Sequence, residues 1–251
     1  TYLSERHEGE LSGLGGAASG LDGARRAVVS PDGQHLYVGS GDSDAVVVFQ
    51  RNPATGSLKF IGVHRDETTS VCVQPISCTI HSLDGAGALA VDPAGDNLYV
   101  AAQNDSSLSV FVRAGAPPSF AFAGGQPGSN PPAPVKNGVG GVAGLKAVTD
   151  VGVIGAHLYA ASYGDGVERG SIVAFSRDAA TGELSFVNRL QDGTGGVDGL
   201  DGATALAIYD DNVYVVSQSL TEGDNAIAVF KRNTVTGAVT FLELHRQGQL
   251  G

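Results

Sequence analysis

Short apolar runs, each bounded by turn residues, follow one another along this chain in a fixed order. The first set is Ala27-Val28-Val29, His35-Leu36-Tyr37-Val38-Gly39, Ala45-Val46-Val47-Val48-Phe49 and Leu58-Lys59-Phe60-Ile61-Gly62-Val63. Runs this short and this rich in β-branched residues read as strands. Ser30-Pro31-Asp32-Gly33 separates the first two; Pro presets φ and Gly accepts a positive φ, so a hairpin is expected there. Asn52-Pro53-Ala54-Thr55-Gly56 separates the last two and recurs as Asp178-Ala179-Ala180-Thr181-Gly182 and Asn233-Thr234-Val235-Thr236-Gly237. In the second copy Ala114-Gly115-Ala116-Pro117-Pro118 stands in its place.

The whole set is repeated. Residues 21–49, 83–111 and 200–230 align from Leu-Asp-Gly-Ala to Val-Phe, and residues 144–175 form a more worn copy. Tyr37, Tyr99, Tyr159 and Tyr214 are 62, 60 and 55 residues apart. Repetition of this kind marks a fold in which each unit buries its apolar face against the next. Four antiparallel strands per unit, arranged around an axis, predict an all-β protein of the β-propeller class. A β-helix needs shorter coils, and a stacked sandwich remains the rival. A single domain over 1–251 is expected, with residues 1–10 an outer strand of a partial repeat and repeats at 11–70, 71–134, 135–194 and 195–251.

Residues 1–8 align with the outer strands around Phe60, Phe186 and Phe241, which gives one strand more than four closed blades require. Either four blades close with the extra strand on an edge, or the chain is part of a larger ring or of an assembly whose strands come from another chain. The second is preferred, because propellers hide their edges by completing a blade begun by the other terminus.

Composition narrows the partners. Thirty-seven glycines and ten prolines suit an all-β fold with many turns. A net charge of −11 without a Lys or Arg cluster argues against nucleic acid, and no run approaches the ~20 apolar residues of a membrane span. Cys72 and Cys78 flank a Gln74-Pro75 turn, so a disulfide is sterically reasonable; a reduced pair is the alternative, and a zinc site lacks further ligands. The absence of Met and a start at Thr1 suggest a processed chain, and with a disulfide would fit an extracellular or periplasmic location.

The Leu-Asp-Gly-Ala segments, Ser-Pro-Asp-Gly-Gln-His-Leu-Tyr-Val-Gly-Ser and the strand ending at Phe49 with its Asn-Pro-Ala-Thr-Gly turn resemble the lactonase-type, 6-phosphogluconolactonase-like β-propeller family over nearly the whole chain. The resemblance implies seven-bladed rings, whereas just over four repeats are present. It also implies catalytic His, Arg and carboxylate groups around the central opening, none of which can be matched here residue by residue. Fold alone does not assign activity.

Antiparallel alternation places the inter-blade links and the second-to-third-strand loops on one face. That face would carry Asp22, Asp84, Asp198 and Asp201 in links, and Asp42, Asp44, Asp105, Asp165, Glu168, Glu222 and Asp224 in loops. Hard oxygen ligands of this kind suit Ca²⁺, with Asp42, Asp44, Asp105, Asp165, Glu222 and Asp224 as candidate ligands, though no EF-hand motif is present. Asp22, Asp84 and Asp201 read better as an inter-blade latch, because Asp before Gly caps turns. His7, His64 and His245 lie on outer strands and read as rim residues, His35 and His157 as structural; His81 is better placed for chemistry but lacks a partner. Residues 114–143 hold six of the ten prolines and read as a surface insertion, with Phe120 and Phe122 serving a fourth strand. The sequence reading is therefore a non-enzymatic propeller that presents an acidic face to a small ligand, a cation or another protein chain, including a second copy. A lactonase-like hydrolase or isomerase is the alternative.

Overall fold

Consecutive apolar runs pair antiparallel, each with the next, and build four sheets. The computed structural model describes residues 18–66, 69–71, 77–79, 82–114, 119–123, 133–218 and 224–248. The expected outer strand at 1–10, Cys72 and with it the proposed disulfide, His7, His81 and Glu222 lie outside the described residues. Blade 1 holds β1 (Ala24–Val29), β2 (His35–Ser40), β3 (Ala45–Arg51) and β4 (Leu58–Arg65). A small hairpin of β5 (Thr69–Val71) and β6 (Ser77–Thr79) follows. Blade 2 holds β7 (Ala86–Val91), β8 (Asn97–Ala102), β9 (Ser107–Ala114), β10 (Ser119–Ala123) and β11 (Val135–Lys136). Blade 3 comprises β12 (Val148–Ile154), β13 (His157–Gly164), β14 (Arg169–Arg177) and β15 (Leu184–Gln191), and blade 4 comprises β16 (Ala203–Tyr209), β17 (Asn212–Ser217), β18 (Ala226–Arg232) and β19 (Val239–Arg246). The described residues contain no helix, hence none long and apolar enough to cross a membrane.

Strand order within each sheet is the chain order, and the inner strands β1, β7, β12 and β16 pack side by side in sequence. This is the radial arrangement of a propeller, with four blades in an arc among the described residues. Blade 2 departs from the expectation at its insertion: β10 pairs with the outer half of β9 and β11 with its inner half, so the fourth strand is made in two pieces. Phe120 and Phe122 do lie in that fourth strand, opposite Arg113 and Phe111.

Alternate side chains of each strand face the two neighbouring blades. Val46, Val48 and Tyr37 of blade 1 meet Leu89, Val91, Leu98, Val100 and Phe111 of blade 2. Leu108, Val110 and Tyr99 meet Val151, Leu158 and Phe175 across the next junction, and Tyr159, Ala161, Ile172 and Ala174 meet Val213, Val215, Ala228 and Phe230 across the last. The recurring tyrosine also fastens the junction. Tyr99 donates its hydroxyl to the Gly182 carbonyl of blade 3 at 3.1 Å, and Tyr159 donates to Gly237 of blade 4 at 2.9 Å. An arginine ending the third strand points the other way: Arg113 bonds Asp32 of blade 1 at 3.0 Å, and Arg177 bonds Asp92 of blade 2 at 2.9 Å.

His64 belongs to a junction rather than to the rim. Its ring lies 5.3 Å from that of Phe111, and burial pushes the imidazole down to about 4. A folded-state value below the ordinary one means that the unfolded chain takes up a proton first as pH falls. The stability held at neutral pH is therefore lost between about pH 6.5 and 4, by about 3 kcal/mol. Urea unfolding of the wild type at pH 7.5 and pH 4 should show this loss, and His64→Leu should show a loss smaller by that amount. Equal pH sensitivity of the two proteins would remove His64 from the account.

Candidate functional site

One position in every inner strand is set apart by a β-bulge. The register slips between Ala24 and Arg26, between Ala86 and Ala88, between Val148 and Asp150, and between Ala203 and Ala205. The extra residues Arg25, Gly87, Thr149 and Thr204 are left out of the ladder, and a bulge re-aims what it carries. These residues line a cavity of about 290 Å³ on the axis, together with Arg26, Ala88, Gln103, Val148 and Asp150.

Asp150 is its anchor. Arg26 of blade 1 reaches both carboxylate oxygens through Nη2, at 3.0 and 3.1 Å, while the backbone N–H groups of Val151 and of Leu206 in blade 4 donate at 2.9 Å each. One carboxylate thus ties blades 1, 3 and 4 together. Burial pushes the Asp150 carboxyl above its ordinary range, against the opposing pull of the Leu206 N–H, Arg26 and the Val151 N–H. Arg26 itself is half exposed to the cavity. Arg25 donates to Gln103 Oε1 at 3.1 Å and lies 3.6 Å from Asp42. Thr149 Oγ1 is within bonding reach of the carbonyls of Ala161 at 3.1 Å and Ala203 at 2.8 Å, which fixes the bulge of blade 3 against blade 4. Two guanidinium groups and one carboxylate face the opening of a chain whose net charge is −11. Each guanidinium is countered by a carboxylate, Arg26 by Asp150 and Arg25 by Asp42, and their exposed donors form a fork that suits carboxylate or phosphate.

The loops and links share one face, as topology requires. Ser43 N bonds Asp22 O, Asn104 N bonds Asp84 O, and Tyr163 N bonds Ala147 O. Their acids act largely as hydrogen-bond acceptors. Asp44 receives the Gly85 N–H of the following link at 2.8 Å, Asp105 receives the Asp84 N–H at 3.0 Å, and Asp224 receives the Asp201 N–H at 3.3 Å. Asp22 donates its N–H to Ser43 Oγ at 3.2 Å, and the Asp84 carboxylate accepts from Asn104 at 2.8 Å. Asp165 closes its own loop by accepting from Val167 and Glu168 at 3.0 and 2.9 Å, with Lys146 at 3.4 Å. Burial raises the Asp105 carboxyl, and the Glu168 N–H is the main cause of the lowered value at Asp165.

Asp42 and Asp44 share one loop, Asp105, Asp165 and Asp224 occupy three others, and the five do not converge on one point among the described residues. The carboxylates that do converge there are Asp192, Asp198 and Asp224, with oxygens within 4.8 Å of one another. Arg246 already bridges Asp198, at 2.5 Å, and Asp224, and Arg169 holds Asp192 at 2.9 Å. Two guanidinium groups fill the role a cation would have there.

The axial residues Arg25, Arg26, Thr149 and Asp150 were not anticipated from the sequence. Aligning the copies from Leu-Asp-Gly-Ala places Arg26, Ala88, Asp150 and Ala205 at one position. Opposite charges at a position where sister copies carry alanine are the signal that would have found them.

The four-stranded sheets and the inner strands that line this opening define a β-propeller. A family model described as lactonase, seven-bladed β-propeller, matches residues 1–75, which is the family that the blade consensus resembles. No curated protein matches the sequence. Among solved structures, a candidate 6-phosphogluconolactonase from Bacteroides uniformis superposes with a TM-score of 0.60 at 17% identity, covering 87% of this chain and 53% of its own. The periplasmic gluconolactonase of Pseudomonas aeruginosa gives 0.60 at 21% identity, covering 89% and 54%. A Lactobacillus plantarum protein gives 0.62 at 17% identity, covering 88% and 54%. The likeness is one of fold, and the chain spans about half the length of these structures.

Proposed function

We propose that the axial cavity binds a small anionic sugar-acid lactone and opens its ester ring by hydrolysis. The observation that carries this reading is the convergence of Arg25, Arg26 and Asp150, from the inner strands of blades 1 and 3, on one cavity of about 290 Å³. Arg25 and Arg26 hold the acidic substituent and stabilise the oxyanion that forms when water attacks the lactone carbonyl. Asp150 holds Arg26 in place and accepts the proton of that water, for which a carboxyl raised by burial is the better base. Ring opening then leaves a hydroxy acid, with the water proton returned to the departing alkoxide. Two of the similar structures are named for gluconolactone substrates, one of them as a periplasmic enzyme, and an extracytoplasmic location is part of the same reading.

Release of acid from glucono-δ-lactone and from its 6-phosphate, followed by pH-stat, tests it. Turnover above the uncatalysed rate is expected, falling about 100-fold or more in Asp150→Asn and in Arg26→Ala. Retained turnover in both variants would move the chemistry elsewhere. Binding of the hydroxy-acid product with no turnover of either lactone would reduce the cavity to a ligand site.

A further inference from the structure

The arginine that the first inner strand releases from its ladder lies in a slot made by two glycines. Near the end of each second strand, one residue donates its N–H to the residue before the inner strand: Gly41 to Gly23, Gln103 to Gly85, Tyr163 to Ala147 and Gln218 to Gly202. The bulge residues of the same four blades are Arg25, Gly87, Thr149 and Thr204. Blade 1 thus carries a long side chain at the bulge and none at the strand end, and blade 2 has the reverse, Gly87 and Gln103. The two exchanges fit each other. A methyl group built on Gly41 would lie 3.1 Å from Cζ and Nε of Arg25, and one built on Gly87 would lie 3.4 Å from its Cδ. Neither glycine has a positive φ, so the backbone does not require glycine at either place. What the missing side chains provide is room for the guanidinium. Gln103 closes the slot by accepting from Arg25 Nη1 at 3.1 Å.

The two axial arginines are held differently. Arg26 spends Nη2 on both oxygens of the buried Asp150. The Arg25 guanidinium makes only the Gln103 bond among the described residues, and its acid, Asp42, stands at 3.6 Å, beyond hydrogen-bond distance, with its side chain 62% exposed. A solvated partner at that range binds weakly and leaves the other N–H groups of a rigid fork to a ligand. In a sugar-acid lactone the carboxyl is consumed in the ring ester, so a negative charge must come from another substituent. A phosphate monoester supplies close to two charges at neutral pH and three acceptor oxygens, which suits several free donors on one plane.

We infer that this slot is a phosphate subsite: Arg25 binds a phosphate on the ligand and sets the preference for phosphorylated lactones, while Gly41, Gly87 and Gln103 are positioning residues that act through it. The inference rests on the axial cavity being where the lactone lies, and it leaves Arg26 and Asp150 to the ring ester. All four residues of the slot lie at the junction of blades 1 and 2, inside the arc.

Calorimetric titration with gluconate and with 6-phosphogluconate, the ring-opened acids, tests the subsite without recourse to turnover. The wild type should bind 6-phosphogluconate at least about tenfold more tightly than gluconate. Arg25→Gln should bring the two affinities within about twofold of each other. Gly41→Gln places in blade 1 the residue that blades 2 and 4 carry there. With Arg25 still present but displaced, it should lower the affinity ratio at least about threefold, which a glycine of merely structural role would not do. Asp42→Asn removes the competing carboxylate and should raise the ratio. Equal affinities in the wild type, or a ratio unmoved by Arg25→Gln or by Gly41→Gln, would overturn the inference. Lactone turnover with equal affinities would overturn the subsite and leave hydrolysis standing, whereas the expected ratio without turnover of either lactone would support the subsite and remove hydrolysis.

Discussion

Arg177→Met should cost about 3–5 kcal/mol of unfolding free energy, because it strands a buried carboxylate. Arg177 is 6% exposed and Asp92 is 0% exposed, and the 2.9 Å bond between them crosses from blade 3 to blade 2. Asp92 also accepts from the backbone of Asp96 at 2.8 Å and from the side chain of Asn97 at 3.0 Å. Those bonds hold the carboxylate in place but carry no compensating charge. Loss of the guanidinium therefore leaves an unpaired ion where water cannot follow. Asp92→Leu combined with Arg177→Met should recover most of the loss, since replacing both members of a buried pair by apolar groups is far less costly than removing one. Urea denaturation of the three proteins decides it; a single variant within about 1 kcal/mol of wild type would mean that Asp92 is neutralised in another way.

Gly170→Ala should be nearly as damaging for a steric reason. Gly170 lies in β14, and a methyl group built on it would sit 1.8 Å from the carbonyl oxygen of Leu200. Leu200 lies in the link that carries the chain from blade 3 to blade 4, its side chain is buried, and its N–H is held by Asp192 at 3.1 Å. The obstacle is therefore backbone fixed on both sides. Relief requires the link to shift, at a cost of about 3 kcal/mol or more. Thermal unfolding should show a midpoint lowered by several degrees, and an unchanged midpoint would mean that the link yields freely.

The repeat made the architecture legible. Strand bounds follow the apolar runs, because hairpin chemistry at Pro31-Asp32-Gly33 and Thr181-Gly182 starts and stops each one locally. The common side of links and loops was readable for the same reason, since antiparallel alternation depends only on the number of strands. The two-piece fourth strand of blade 2 was not readable: Pro-rich sequence hides a strand whose formation depends on β9 offering an edge. The axial site was missed because attention to acids favours loops, where they are numerous, over strands. Asp150 and Arg26 lie 124 positions apart and meet only because the inner strands converge on an axis. The acids assigned to latch and cation were read from side-chain chemistry, whereas in three of the links the bonds run from or to backbone N–H groups that no sequence pattern displays.

The bulge in every inner strand has a consequence for how such a molecule changes over time. It releases one side chain per copy from the ladder, so those four positions are held at most by side-chain bonds, such as that of Thr149 to Ala203, rather than by strand pairing. Arginine, glycine and threonine already share the place. Duplicated copies can therefore diverge in what they recognise while remaining interchangeable as scaffolding.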